Sequence, residues 1–279
     1  MKIGAIIQAR TSSTRLPAKV LKHLPYDSNI TILQQVIRRT KKSKLIDEII
    51  IATTTEKEDY KIIKIAEKEN VRWFKGSKND VLERYFLAAK ENKLDIIVRI
   101  TSDCPCIDWQ VIDEVIKTHI NLNADYTSNT LTRTFPHGLD VEVISFTALE
   151  IAYKNATDDF EREHVCPYIH TTHKEKFKLA NVKAPKELHH PEIRITLDTE
   201  EDYALLCAIF DYLYPKNIFF DGKDIVKLFG EKPWLKFINK KIIQKKIFTN
   251  INEELKEAVK ILDLQDLNNV KKILEKFIK

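Results

Sequence analysis

The sequence predicts an α/β protein built around a mainly parallel β-sheet with helices on both faces. Three features predict this fold class: short apolar segments alternate with amphipathic segments, the loops between them are short, and charged residues follow several apolar segments directly. Strands that alternate with helices over short loops form parallel sheets with right-handed crossovers. Hydrophobic residues make up 43% of the chain, which is enough for a substantial core.

The first half of the chain contains four of the predicted strands. Residues 3–7 are too few for a helix and rich in isoleucine, which is typical of a buried strand. Further strands are predicted at residues 48–53, 71–74 and 95–101. Apolar residues recur at helical spacing between them, which predicts helices at residues 29–42, 56–70 and 79–92.

The second half continues the pattern less regularly. Helices are predicted at residues 109–122 and 157–172, and another follows the stretch 196–202 and runs through residue 213. Strands are predicted at residues 125–129, 138–145, 177–182 and 193–197. From residue 221 the composition shifts to lysine-rich amphipathic segments, which predicts a main domain over residues 1–220 and a helical extension over 221–279.

Two interpretations of the extension stay open. It is either a packing appendage or a pair of oligomerisation helices, and the second interpretation makes a homodimer possible. Asn250 and Asp266 are predicted as the N-caps of its last two helices.

Composition narrows the classes of protein to which the chain can belong. The formal net charge is +5 and the lysines are spread over the chain, so we expect no nucleic-acid partner. No apolar run reaches membrane-spanning length and the start lacks the apolar stretch of a signal peptide, so we expect no membrane partner and a cytoplasmic location. Four cysteines do not make a disulfide framework at this length, and reduced thiols fit the cytoplasm.

The most informative stretch follows the first strand. Arg10, Arg15 and Lys19 lie within one loop, interleaved with the hydroxyl residues 11–14. Guanidinium groups grip phosphate oxygens bidentately, and lysine adds a mobile point charge. Because open α/β sheets bind ligands beyond the carboxyl ends of their strands, the position of this loop favours a polyphosphate site. The alternative is a solvated basic loop.

Two distant aspartates also follow predicted strands directly. Asp103 comes after the fourth strand, and Asp198 comes after residues 193–197. In a parallel sheet such positions converge at one edge, and Mg²⁺ typically takes one or two carboxylates plus substrate phosphates. The alternative is that each is a helix cap or a loop acid; Asp198 in particular is a plausible cap for the helix that follows it.

Several of these segments together resemble one enzyme family. IIQAR at residues 6–10 and STRLPAK at residues 13–19 resemble the opening signature of the cytidylyltransferases that activate acidic sugars, such as acylneuraminate and 3-deoxy-manno-octulosonate. The nearest branch is the subfamily named after a spore coat polysaccharide biosynthesis protein. The loop departs from that subfamily in having serine at residue 12 or 13, and alanine at residue 18, where glycine is usual.

Two further motifs extend the resemblance over roughly residues 1–239. SDCP at residues 102–105 is similar to the family's acidic-proline motif, and LDTEED at residues 197–202 is similar to its Asp-Thr motif, with Glu200 in place of proline. The resemblance implies the nucleotide-diphospho-sugar transferase fold, CTP as substrate and Mg²⁺ held by Asp103 and Asp198. It implies that Arg10, Arg15 and Lys19 hold the β- and γ-phosphates, which makes these five residues the catalytic set.

The resemblance also implies how the nucleotide is bound. The stretch from Gly76 to Tyr85 recurs in the subfamily, and its place in the fold suggests one wall of the nucleotide site. The base would be recognised by backbone groups near Gln8 and Ala9 and by side chains such as Ser77. The nucleotide-binding residues implied are Gln8, Ala9, Arg10, Ser13, Arg15, Lys19, Gly76, Ser77, Asp80 and Asp103.

Two motifs that are subfamily hallmarks point to the second substrate. FPHGLDVE at residues 135–142 and EREHVCPY at residues 161–168 are absent from the octulosonate branch, which implies a different acceptor. The candidate acceptor-binding residues are Asp140, Glu142, Arg162 and His164. Alternatively, Glu142 and Arg162 form a structural ion pair with each other.

Other chemistry is disfavoured by spacing. The histidines and cysteine at residues 164–173 do not match familiar structural zinc ligand sets, and no residue beside Cys104 identifies a base that could activate it as a nucleophile. The resemblance implies a cytidylyltransferase that transfers CMP from CTP to an acidic sugar or a phosphorylated small molecule. The alternatives are a glycosyltransferase of the same architecture and a nucleotide-binding subunit without turnover.

Overall fold

A seven-stranded mixed sheet organises residues 1–240 in the computed structural model of the protein, which describes residues 1–242 and 251–278. Its strands are Ile3–Gln8 (β1), Glu48–Thr54 (β2), Arg72–Gly76 (β3), Ile96–Thr101 (β4), Tyr126–Ser128 (β5), Glu142–Ser145 (β6) and Leu179–Asn181 (β7). The spatial order is β3-β2-β1-β4-β6-β5-β7. Only β6 runs antiparallel to its neighbours, so the carboxyl ends of β1, β2 and β4 lie at one edge.

Helices cover both faces of this sheet. In the same unit they are Ile32–Thr40 (α1), Tyr60–Lys68 (α2), Val81–Glu91 (α3), Trp109–Leu122 (α4), Phe146–Asn155 (α5), Asp159–His164 (α6), Glu200–Leu213 (α7) and Gly222–Glu231 (α8). Successive β1 side chains alternate between the faces: Ile7 packs in a cluster with α1, α2 and α4, whereas Ile6 packs in a cluster with α3 and α5. A third cluster joins α7 and α8. The predicted α/β fold class, with helices on both faces of a mainly parallel sheet, is confirmed.

The four amino-terminal strands and their three helices are confirmed, with ends that differ by a few residues. Polar caps set several helix starts. The Thr31 side chain accepts from the Gln34 backbone N–H in a capping box before α1, and the Asp80 side chain accepts from the Glu83 backbone N–H before α3. Each cap satisfies an N–H that the first helical turn leaves without a partner.

Three predicted elements of the second half are wrong. Residues 138–145 form a strand only from Glu142, because Gly138 turns the chain with φ +119°. Residues 157–172 are not one helix: α6 ends at His164, Val165 adopts φ 74°, and a separate wide helical turn covers Tyr168–Thr172. Residues 193–197 lie outside the sheet and form a single parallel bridge, between Arg194 and His137.

The carboxyl-terminal region also differs from its prediction. Residues 221–240, which the sequence analysis assigned to the extension, belong to the same compact unit as the sheet, and α8 buries Ile225, Leu228 and Phe229 there. The second unit, residues 241–279, contains the helices Ile251–Leu264 (α9) and Asn268–Leu274 (α10).

The predicted caps of this second unit have different outcomes. Asp266 does not cap α10, because Leu267 occupies the N-cap position and makes no side-chain hydrogen bond. Asn250 lies outside the described residues. The choice between appendage and oligomerisation pair stays a prediction. Within residues 1–242 and 251–278, every helix is too short or too polar to cross a bilayer.

His119 gives the fold a pH-dependent stability. It lies in α4 with 3% of its surface exposed, and its Nδ1 is 3.1 Å from the Thr127 hydroxyl. Burial lowers the pKa of His119 from 6.5 to about 4, against the opposing charge of Asp125. Between pH 6.5 and about pH 4, His119 is therefore protonated in the unfolded chain but not in the folded chain. The free energy of unfolding falls as the pH drops through this window.

We expect wild-type protein to lose about 2–3 kcal/mol more stability than His119→Gln between about pH 7.5 and pH 4.5. Urea unfolding at the two pH values measures this difference. His189→Gln, which changes an exposed histidine, should keep the wild-type dependence. Equal losses in wild type and His119→Gln would show that His119 is not the titrating group.

Candidate active site

The basic loop after β1 is anchored by a buried carboxylate. Asp59 Oδ1 accepts hydrogen bonds from the Thr11 backbone N–H at 2.7 Å and from the Thr11 hydroxyl at 2.6 Å. The loop then closes on itself, because the Ala18 N–H donates to the Thr11 carbonyl at 3.0 Å. Ala18 adopts the left-handed conformation (φ 52°) at the position where the subfamily usually has glycine. The loop therefore takes the tight path without glycine, at the conformational cost that an alanine carries there.

Lys19 lies at the centre of the site. Its ammonium donates to Asp103 Oδ2 at 2.8 Å, to the Leu197 carbonyl at 2.7 Å and to Asp198 Oδ1 at 3.0 Å. Burial by itself would lower the pKa of Lys19, but the charges and hydrogen bonds of Asp103 and Asp198 raise it above its usual value. The ammonium therefore stays charged and links two segments that are 95 residues apart in the sequence.

Asp198 is shared among three cations. Besides Lys19, Arg15 Nη2 lies 3.0 Å from its Oδ1, and Arg194 Nη2 lies 3.0 Å from its Oδ2. Burial by itself would raise the pKa of Asp198, but the charge and hydrogen bond of Lys19, with help from the two arginines, lower it to about 2. The carboxylate is thus ionised throughout the physiological pH range.

Backbone hydrogen bonds hold the two aspartate segments together. The Leu197 N–H donates to the Asp103 carbonyl at 2.9 Å, and the Thr196 hydroxyl donates to the same carbonyl at 3.3 Å. The alternative that Asp198 caps the next helix is wrong, because the Thr199 side chain is the cap of α7. This leaves the Asp198 carboxylate directed at Lys19 and the arginines.

The donor set suits a magnesium ion. Two carboxylates hydrogen-bond the same ammonium, so two anionic oxygens lie within 3.0 Å of one cationic centre. Both side chains keep access to solvent, at 25% exposed for Asp103 and 22% for Asp198. Mg²⁺ is a hard cation that takes oxygen ligands and commonly completes its shell with water and substrate phosphate. Asp103 and Asp198 are the residues that would hold it.

Arg10 points away from this cluster and lines a separate cavity of about 630 Å³. Its Nη2 lies 3.9 Å from Glu163 Oε1, and the cavity also borders Asp80 and Arg162. Arg162 Nε donates to Asp80 Oδ2 at 2.8 Å. The three loop cations therefore divide: Arg15 and Lys19 contact the aspartates, whereas Arg10 faces a pocket between the starts of α3 and α6.

The remaining predicted nucleotide contacts lie at the carboxyl ends of β1 and β3. The Gln8 side-chain oxygen is buried without a hydrogen-bond partner in the described structure, and the Ala9 N–H is already used, donating to the Ala52 carbonyl at 3.0 Å. Ser77 Oγ accepts from the Asp80 N–H at 3.0 Å. Gly76 packs against Arg84, and the Ser13 N–H donates to the Thr11 carbonyl within the loop.

The predicted acceptor residues do not form one cluster. Asp140 is not on a strand with Glu142; it accepts a bidentate pair of hydrogen bonds from Arg133 at 2.6 and 2.7 Å. Burial by itself would raise the pKa of Asp140, but the hydrogen bonds and charge of Arg133 lower it. Glu142 pairs with Arg99 on the neighbouring strand β4, so the alternative of a Glu142–Arg162 ion pair is wrong. His164, at the end of α6, has its ring 4.6 Å from that of Phe160.

The surroundings of Cys104 disfavour a nucleophilic role for its thiol. Burial, with the nearby charge of Asp103, raises the pKa of Cys104 well above its usual value, and a protonated thiol is a poor nucleophile. Within the described part of the chain, His, Cys, Asp and Glu side chains nowhere gather in threes in an arrangement that could hold a metal ion.

Sequence reasoning missed several residues of the site. Asp59 anchors the basic loop. Arg194 donates to Asp198 and to Asp202, and Asn239 also donates to Asp202. Arg194 carried a signal, because it is a charged residue inside an apolar segment and lies four residues before Asp198. Asp59 carried none, because nothing in the sequence connects it to Thr11.

A largely parallel sheet carries the basic loop after β1 and Asp103 after β4, and Asp198 joins them through Lys19. The fold is the nucleotide-diphospho-sugar transferase fold. The sequence profile of the cytidylyltransferase family matches residues 4–225. The chain belongs to this family, and is thus a CTP-dependent nucleotidyltransferase.

Individual relatives agree with this assignment. An uncharacterized protein of Methanocaldococcus jannaschii is 40% identical over 245 residues, covering 88% of this chain and 97% of that protein. The spore coat polysaccharide biosynthesis protein SpsF of Bacillus subtilis is 33% identical over 207 residues, or 74% of this chain and 85% of that protein. The structure of a cytidylyltransferase from Leptospira borgpetersenii has a TM-score of 0.79 and 35% identity, and covers 88% of this chain and 100% of that chain.

Proposed function

We propose that the protein transfers CMP from CTP to an acidic sugar or a phosphorylated small molecule, in the synthesis of a surface polysaccharide or glycoconjugate. The observation that carries this proposal is the convergence of Arg15 and Lys19 with Asp103 and Asp198 around one point. Cations that can bind phosphate and carboxylates that can bind Mg²⁺ are the two requirements of a metal–triphosphate substrate. The polysaccharide role rests on the likeness to SpsF.

In the proposed reaction an acceptor oxygen attacks the α-phosphorus of CTP. The new P–O bond forms as the bond to the β-phosphate oxygen breaks, pyrophosphate leaves with that electron pair, and the acceptor's proton goes to solvent if the oxygen was protonated. Little covalent work falls to the protein, so catalysis consists of positioning and charge neutralisation. Lys19 and Arg15 would bind the departing phosphates.

Mg²⁺ bound by Asp103 and Asp198 would supply charge neutralisation at the phosphates. Arg10 would bind the nucleotide from the side of the Asp80–Arg162 cavity. For base recognition we propose the end of β1 and the turn after β3, where Gln8 has an unpartnered buried oxygen.

For the acceptor we propose contacts from Arg162 and His164 on α6. Asp140 and Glu142 would act indirectly. Asp140 would hold Arg133 in place, and Glu142 would hold Arg99 in place. We also propose that the reaction takes place in the cytoplasm, since all four cysteines are free thiols.

The test has two parts. Thermal shift with each of the four nucleoside triphosphates plus Mg²⁺ should give its largest stabilisation with CTP, because a ligand that binds only the folded state raises the melting temperature. Pyrophosphate release from CTP should then require one acceptor from a panel of 2-keto acid sugars and sugar phosphates.

Three outcomes would overturn parts of the proposal. A larger shift with another triphosphate would reassign the base. CTP binding without pyrophosphate release from any acceptor would favour a subunit without turnover. Consumption of a nucleotide sugar instead of CTP would favour a glycosyltransferase.

A further inference from the structure

Arg194 connects the candidate metal-binding carboxylate to a buried part of the fold. Its Nε donates to Asp202 Oδ1 at 3.0 Å, and its Nη2 donates to Asp202 Oδ2 at 2.8 Å. The same Nη2 donates to Asp198 Oδ2 at 3.0 Å. Only 12% of the Arg194 side chain is exposed, and none of the Asp202 side chain is.

Asp202 also holds the backbone that carries Asp198. Its Oδ2 accepts from the Asp198 N–H at 3.0 Å. Asn239 completes the arrangement, because its amide donates to Asp202 Oδ1 at 2.9 Å and to the Arg194 carbonyl at 3.1 Å. Asn239 lies beyond residues 4–225, the range that matches the family. A segment outside that range therefore contributes to the geometry at Asp198.

The two oxygens of Asp198 thus have different neighbours. Oδ1 faces Lys19 and Arg15, which belong to the phosphate-binding loop, whereas Oδ2 faces Arg194. When a triphosphate enters, Lys19 and Arg15 gain phosphate oxygens as competing partners. Arg194 is anchored by Asp202 at two atoms, and its Nη1 lies 3.3 Å from His137 Nδ1, so its guanidinium is held in place independently of Lys19 and Arg15.

We propose that Arg194, anchored by Asp202 and Asn239, is a positioning residue that orients Asp198 for the divalent metal and the triphosphate. The inference rests on the proposed function of the site. Carboxylate ligands of metals are commonly oriented by hydrogen-bonding partners of this kind, and loss of such a partner costs about 10–100-fold in metal affinity or activity. In this role Arg194 acts through Asp198 and not by its own contact with metal or substrate.

The test removes Arg194 without leaving a buried charge unpaired. In Arg194→Gln/Asp202→Asn both members of the buried pair become neutral, so the double variant should fold. We expect its affinity for Mn²⁺ in the presence of CTP, measured by electron paramagnetic resonance without acceptor, to fall about 10–100-fold. Arg194→Lys keeps the positive charge but cannot donate to both Asp202 oxygens from two nitrogens as the guanidinium does. Its Mn²⁺ affinity should lie between those of the double variant and wild type.

The matched control is Arg38→Gln/Glu69→Gln, which neutralises an arginine–carboxylate pair between α1 and the end of α2. It should bind Mn²⁺ and CTP as wild type does. Unchanged Mn²⁺ affinity in the folded Arg194→Gln/Asp202→Asn variant would overturn the positioning role while leaving the proposed function intact. Wild-type protein that fails to bind Mn²⁺ and CTP together would instead overturn the proposed function.

Asn239→Ala covers the case in which the double variant does not fold. It removes two hydrogen bonds and leaves both charges paired. We expect Mn²⁺ affinity in the presence of CTP to fall several-fold, with the melting temperature within a few degrees of wild type. Wild-type affinity in Asn239→Ala would then count against the proposal.

Discussion

Replacing Asp198 with asparagine is expected to leave a folded protein whose turnover is lower on the order of a hundredfold or more. The amide oxygen can still accept a hydrogen bond from Lys19 or Arg194, so the local backbone keeps its supports. The negative charge that three cations surround is lost, however. Without it the site loses one proposed Mg²⁺ ligand, and Lys19 and Arg15 lose the partner that holds them in place.

The measurement is pyrophosphate release at saturating CTP and acceptor, beside a thermal melt of each protein. Asp211→Asn is the matched control, because it makes the same substitution at an exposed position of α7, and it should retain wild-type turnover. Wild-type turnover in Asp198→Asn would remove this residue from the metal site. A collapse of the melting temperature in that variant would show that the cluster serves stability first.

Local sequence patterns were sufficient to predict the strands in the half of the sheet that carries the basic loop. Residues 3–7 and 48–53 are isoleucine-rich runs buried on both faces, and such runs have few alternatives to a parallel strand. The convergence of Lys19 and Asp103 followed from this topology, because they come after β1 and β4, neighbouring parallel strands that end at one edge. Asp198 reaches the same place for a different reason, because residues 193–197 lie outside the sheet and are held by backbone hydrogen bonds to His137 and Asp103.

The errors arose where tertiary hydrogen bonds replace a regular ladder. Residues 193–197 alternate like a strand, but their N–H groups are used by His137 and Asp103 from two different loops. Val165 breaks the helix predicted at 157–172 with a positive φ that valine rarely adopts, so no glycine or asparagine marked the position. Neither feature has a signal in local composition.

The choice of ionic partners was the other feature that sequence could not supply. Arg162 pairs with Asp80, which lies 82 residues away, and Glu142 pairs with Arg99, 43 residues away. Charge alone permits a Glu142–Arg162 pair equally well. Only the register of β4 against β6, which places Arg99 opposite Glu142, decides between them.

That register makes Glu142 a sensitive position for stability. Its side chain is 13% exposed and that of Arg99 is 14% exposed, and the Tyr126 hydroxyl donates to Glu142 Oε1 at 2.6 Å. Burial would raise the pKa of Glu142, but Arg99 lowers it, so the carboxylate stays charged. Breaking a buried pair by removing one partner leaves an uncompensated charge and costs about 3–5 kcal/mol.

Glu142→Gln should therefore lower the free energy of unfolding by about 3 kcal/mol or more in urea titrations near neutral pH. Arg99→Met/Glu142→Leu, which removes both charges, should recover most of that loss. Glu150→Gln, which breaks the exposed pair with Lys154 on α5, should cost no more than about 0.5 kcal/mol. If Glu142→Gln instead keeps its stability but loses affinity for the acceptor, Glu142 contacts the substrate directly and its pairing with Arg99 is secondary.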